Sequence, residues 1–101
     1  MDILARIKRC ALLRRVRFTY KATDERIADA LTELEVLESI VNANKIHKTL
    51  RSIAPGRKSR EHLYVIISPT VQGQLIYTKG KLVDEQGIEI YYLMISAKLA
   101  D

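Results

Sequence analysis

Lys45-Ile-His-Lys-Thr-Leu-Arg-Ser-Ile-Ala-Pro-Gly-Arg-Lys-Ser-Arg60 is where the hydrophobic period of this 101-residue chain changes. Upstream, apolar residues recur at the three- and four-residue spacing of a helix face. From Lys45 to Ile53 the chain alternates instead. Ile46, Lys48, Leu50 and Ser52 fall on one side and His47, Thr49, Arg51 and Ile53 on the other, the period of a strand. Pro55-Gly56 then turns the chain. The same stretch holds six Lys or Arg, one His and no acid. It therefore divides a helical half from a β half, and it calls for an anionic partner.

On the helical side, Ile3, Leu4, Ile7 and Ala11 predict an amphipathic helix over residues 2–14. Alternation from Val16 to Lys21 predicts a half-buried strand or an extended lead-in. Thr23 is the expected N-cap of a second helix, with Asp24 and Glu25 near its positive end and Ile27, Ala28 and Leu31 inward. Thr32-Glu-Leu-Glu35 is a capping box opening a third helix, whose inward face is Leu34, Leu37, Ile40 and Val41. The acids of these two helices are read as a solvated outer surface.

On the β side, His62–Ser68 is nearly all apolar and predicts a central strand. Gln74–Val83 predicts a third strand and Ile88–Ala97 a fourth, the most buried, with turns at Pro69–Gly73 and Asp84–Gly87. Helices followed by a meandering antiparallel sheet make the expected fold class α+β. The helices should pack on a sheet of three to four strands, in a single domain spanning residues 1–101.

The net charge of +5 is segregated: +6 over residues 1–21, −5 over 22–44, +6 over 45–60 and −2 over 61–101. A basic face of this kind concentrates phosphate near it. The one cysteine, Cys10, forms no internal disulfide and fits a reducing compartment. No apolar run reaches the roughly 20 residues of a membrane span, and the N-terminus lacks a signal-peptide core. A cytoplasmic protein with no membrane partner is expected.

Two His and one Cys at unrelated spacing do not make a zinc site, and no phosphate-binding glycine loop or nucleophile elbow is present. No cofactor is expected. Chemistry must then rest on Lys, Arg, Tyr and His. That set suits RNA cleavage, in which the 2′-hydroxyl attacks the adjacent phosphate while the protein moves protons and neutralises developing charge.

The order of two helices, Lys48-Thr-Leu-Arg51, Leu63-Tyr-Val65, Gly73-Gln-Leu-Ile-Tyr-Thr-Lys79 and Ile95-Ser-Ala-Lys98 resembles the MqsR and BrnT branch of bacterial toxins over residues 14–99. The resemblance implies a RelE-like fold and a metal-independent endoribonuclease, the mRNA-cleaving toxin of a type II toxin-antitoxin system. It also implies a cognate antitoxin as partner, in a hetero-oligomer or beside a homodimer. Carried over by residue, the family's strand lysine falls on Lys48, its strand tyrosine on Tyr77 and its C-terminal lysine on Lys98. Glu61 stands where the family pattern has glutamine, and His47 where it has an aromatic. The implied catalytic set is Lys48, Tyr77 and Lys98, with a lysine of lowered pKa, His47 or Glu61 as base. Arg51, Arg57, Lys58, Arg60 and Lys79 are the expected RNA contacts.

Two other classes use the same charges. A non-catalytic RNA-binding module would present aromatics for stacking, and only six aromatics occur here, none of them Trp. A protein-interaction module would bind an acidic helix through Arg57, Lys58 and Arg60.

Overall fold

The computed structural model describes residues 1–52 and 61–101, so the expected contacts Arg57, Lys58 and Arg60 lie outside the described residues. Helix α1 (Ile3–Leu12) starts at Asp2, whose side chain accepts from the Ala5 N–H at 2.7 Å, and buries Ile7, Cys10 and Ala11. It is closed by the Arg15 N–H donating to the Cys10 carbonyl at 2.8 Å, with Arg14 at φ 59°. Strand β1 (Val16–Phe18) and helix α2 (Tyr20–Ala28) follow directly. Thr19, not Thr23, is the N-cap, accepting from the Ala22 N–H at 3.1 Å. That earlier start shortens β1 to three residues. It also sets the helix phase, so Ala22 is buried while Ile27 is 61% exposed and Ala28 faces solvent. Helix α3 (Glu33–Val41) has the expected capping box between Thr32 and Glu35. Its buried face centres on Val36, Leu37 and Ile40, and Leu34 is exposed instead.

Strands β2 (Lys48–Ser52), β3 (Glu61–Pro69), β4 (Leu75–Glu85) and β5 (Ile88–Leu99) pair antiparallel in sequence order. Among the described residues the sheet has five strands in the order β1-β5-β4-β3-β2. It is mixed, not purely antiparallel, because β1 pairs parallel with β5 from Val16↔Tyr92 to Phe18↔Met94. The chain thus returns its short first strand to the far edge of the sheet. Tyr64, Ile66, Ile76, Tyr92, Met94 and Ala97 are buried in one core with Ile7, Val36 and Ile40 of the helices. Val65 is fully buried yet lies outside that core, on the other face.

Of the acids of α2, Asp24 is exposed as expected, but Glu25 and Asp29 do not form a solvated surface. Beyond Phe18, strand β5 has no further β1 partner, and α2 takes over its edge. The Thr19 hydroxyl donates to the Ile95 carbonyl at 3.3 Å. Glu25 accepts from the Ser96 hydroxyl at 2.7 Å and the Ala97 N–H at 3.2 Å, and Asp29 accepts from the Leu99 N–H at 2.8 Å. Glu25 and Asp29 are four apart, so one helix stripe meets alternate amides of one strand. Burial alone would raise the Glu25 pKa. The hydrogen bonds from Ser96 and Ala97, with Lys21 nearby at 3.4 Å, outweigh it and hold the carboxyl below its ordinary range.

Gly80 determines where the sheet divides. A Cβ there would stand 2.5 Å from the Tyr92 ring and 2.7 Å from the Leu93 carbonyl oxygen. The register slips at this point, Lys79 pairing with Ser96 but Gly80 with Met94, so Ile95 is the extra residue of a bulge. Past Tyr64↔Gly80, β3 and β4 no longer pair: Glu61–Leu63 stay with β2, and Lys81–Glu85 stay with β5. The sheet forks. Tyr92 is buried beside the fork with its hydroxyl 3.5 Å from the Tyr64 carbonyl, and burial pushes its pKa upward, so it stays protonated.

Replacing Gly80 with Ala should cost about 1–3 kcal/mol through overpacking against a buried ring and a backbone oxygen. Urea denaturation would read this as a lower midpoint at unchanged slope. Glu25 predicts the pH response. Its folded pKa is depressed, so its stabilisation is whole above the unfolded value of about 4.3 and is lost as pH falls through the folded value. Melting temperature should therefore fall less steeply on acidification in Glu25→Gln than in the wild type.

Candidate nucleic-acid interface

Strand alternation along β4 directs Tyr77, Lys79, Lys81 and Val83 to the face turned away from the helix-packed core. Cross-strand register then fixes their neighbours. Lys48, Val65 and Lys79 form one row, and Ile67, Tyr77 and Lys98 the next. The Lys98 ammonium lies 5.4 Å from the centre of the Tyr77 ring, within cation–π range. Lys48 and Lys98 are exposed, and Tyr77 and Lys79 half-buried.

Of the residues expected from sequence, the fold brings Tyr77, Lys79 and Lys98 together. Lys48 shares their face but stands three inter-strand spacings and one row from Lys98, about 16 Å between backbones. His47 lies in the bend just before β2, beside Lys48 and therefore three strands from Lys98; its N–H donates to the Val65 carbonyl at 2.8 Å. Arg51, opposite His62, is three residues along β2 from Lys48, so it has the other parity, and it is exposed. Glu61 is six residues down β3 from Ile67, about 20 Å from the Tyr77 row, and is bonded to Lys81 at 3.2 Å. Neither His47 nor Glu61 is at the Lys98–Tyr77 pair.

The fork encloses a cleft of about 560 Å³. Glu61, His62 and Tyr64 line one bank, Lys81 to Asp84 the other, with Tyr91 and Leu93 of β5 and Ile3 and Arg6 of α1 completing it. The His62 and Tyr64 rings stack at 6.4 Å between centres. Lys48, Tyr77 and Lys98 do not line this cleft, which lies further along the same β4 strand. On the β1 side, the Arg17 guanidinium sits 4.4 Å over the Tyr91 ring. Sequence reasoning missed Arg17 and Tyr91, since nothing local signals that β1 is laid beside β5. Lys81 was legible, as it continues the Tyr77-Thr-Lys79 alternation by one step.

A second, apolar groove of about 200 Å³ lies between α1, α3 and Val71, with Leu12, Leu34 and Leu37 along it. Among the described residues no three His, Cys, Asp or Glu gather to hold a metal. No described helix is long and apolar enough to cross a membrane. No protein-family model matches the chain, and no curated protein or solved structure matches it either.

Proposed function

We propose that the face of the sheet turned away from the core binds RNA and cleaves it at the Lys98–Tyr77 pair. The observation that carries this reading is the placement of Lys98 over Tyr77 with Lys79 next along β4, about 7 Å away by strand spacing. The 2′-oxygen attacks the adjacent phosphorus, the P–O5′ bond breaks, and the products are a 2′,3′-cyclic phosphate and a 5′-hydroxyl. Lys98 and Lys79 neutralise the nonbridging oxygens as charge builds on them. The Tyr77 hydroxyl protonates the departing 5′-oxygen, the 2′-hydroxyl proton passes to water, and water returns a proton to Tyr77, so that none is gained or lost overall. Lys48, too far for the same phosphate, holds a flanking one.

The resemblance noted in the sequence supports a fuller form of the proposal. In it the chain has a RelE-like fold and is the toxin of a type II toxin-antitoxin system, acting on mRNA in the cytoplasm and neutralised by its cognate antitoxin. A second reading, RNA binding without cleavage, is favoured by one fact: His47 and Glu61, the base candidates other than lysine, stand away from Lys98.

The test is RNA cleavage with EDTA present. Lys98→Ala should slow cleavage by about 10²-fold, the scale of losing one charge-stabilising group, and leave the melting temperature unchanged because the side chain is exposed. Cleavage at the wild-type rate in that variant would reject the assignment, and binding without cleavage in the wild type would select the second reading. Replacing Lys48, Lys79 and Lys98 together by Ala should lower the log–log salt slope of RNA binding by about 2, at roughly 0.7 per phosphate contact.

A further inference from the structure

Arg17 and Tyr91 form a second cation–aromatic pair on the sheet, and no role described so far uses them. Tyr91 pairs with Val83, which is six residues along β4 from Tyr77. The two pairs are therefore about 20 Å apart along one strand, with Lys79 and Lys81 between them on the same side. Lys81 is engaged by Glu61, so the freer cations stand at the two ends: Lys98 with Lys79 at one, Arg17 at the other. Tyr91 also lines the fork cleft, whose volume of about 560 Å³ is that of a small-ligand pocket.

We propose that Arg17 over Tyr91 is a base-stacking subsite at the far end of a track along β4, and that the RNA bound there is single-stranded. This rests on the RNA reading of the same face. A guanidinium plane held over an aromatic ring is a platform on which an unpaired base stacks. Arg17 is exposed and Tyr91 half-buried, with the guanidinium carbon 4.4 Å from the ring centre. A cleft of this size admits a splayed base, and a base inside a duplex reaches neither cleft nor platform. At the stacked rise of about 3.4 Å per nucleotide, the 20 Å span corresponds to about six nucleotides.

The experiment uses the full chain and labelled 2′-O-methyl RNA oligonucleotides of mixed sequence, which lack the attacking hydroxyl and report binding alone. One oligonucleotide is too short to span the track, about three nucleotides, and the other exceeds it, about ten. Arg17→Ala should weaken the long oligonucleotide about 5- to 100-fold and leave the short one unchanged. Arg17→Lys keeps the charge but loses the plane, and it should weaken the long one similarly. Wild-type affinity in either variant, or equal competition by a duplex of the same sequence, overturns the subsite. If unmodified RNA binds but is not cut, the catalytic assignment of Lys98 and Tyr77 falls and the subsite stands. If neither oligonucleotide binds the wild type, the RNA reading and the subsite are both rejected.

Discussion

The edge of β5 is the constraint on which the rest of the molecule depends. A strand that supplies Tyr92, Met94 and Ala97 to the core cannot leave one whole row of backbone groups unpaired, since each buried and unsatisfied amide costs about 1–3 kcal/mol. One side of β5 is paired with β4. The other side is shared between two unlike partners, first the parallel strand β1 and then the side chains of Thr19, Glu25 and Asp29. The division falls at Thr19, whose N–H donates to Met94 as the last β-like contact and whose hydroxyl caps α2. A single residue ends the strand, begins the helix and passes the edge from one to the other.

Lys98 is placed by this arrangement. It sits between Ala97 and Leu99, whose amides are held by Glu25 and Asp29, and alternation sends its side chain to the face opposite the core. The acidic helix and the basic face are thus two sides of one strand. Carboxylates bind backbone on one edge so that an ammonium can be presented on the other face without a neighbouring acid in its own row, where Tyr77 and Ile67 stand. Rigid placement of this kind is what charge stabilisation of a phosphorane demands, because donors that must first be ordered contribute less.

Much of this was legible in the sequence and some was not, for physical reasons. The capping box at Thr32 and the alternating runs that became β2 to β5 are local signals, and the structure has them close to where the residues put them, although β2 starts at Lys48, three residues after the change of period. Strand β1 could be suspected but its partner could not, because three alternating residues say nothing about which edge they join. The acids of α2 looked like surface because sequence shows a carboxylate's helix face but not the unpaired amides waiting for it. Likewise His47 and Lys48 are adjacent in the chain and belong to one expected site with Lys98, whereas the sheet order sets both of them three strands away from it. Tyr77 and Lys98, twenty-one positions apart, meet because β4 and β5 form a hairpin whose Gln86 and Gly87 both take positive φ.

Gly80 connects these two halves of the argument. With no side chain there, the Tyr92 ring occupies the core at the level where β5 carries its extra residue, Ile95. The bulge changes which β4 residue faces which β5 residue, so Tyr77 pairs with Lys98 on one side of it while Val83 pairs with Tyr91 on the other. The same local event ends β3–β4 pairing and opens the fork beside Tyr91. One residue without a Cβ therefore sets both the register that brings Lys98 to Tyr77 and the cleft at the opposite end of the strand.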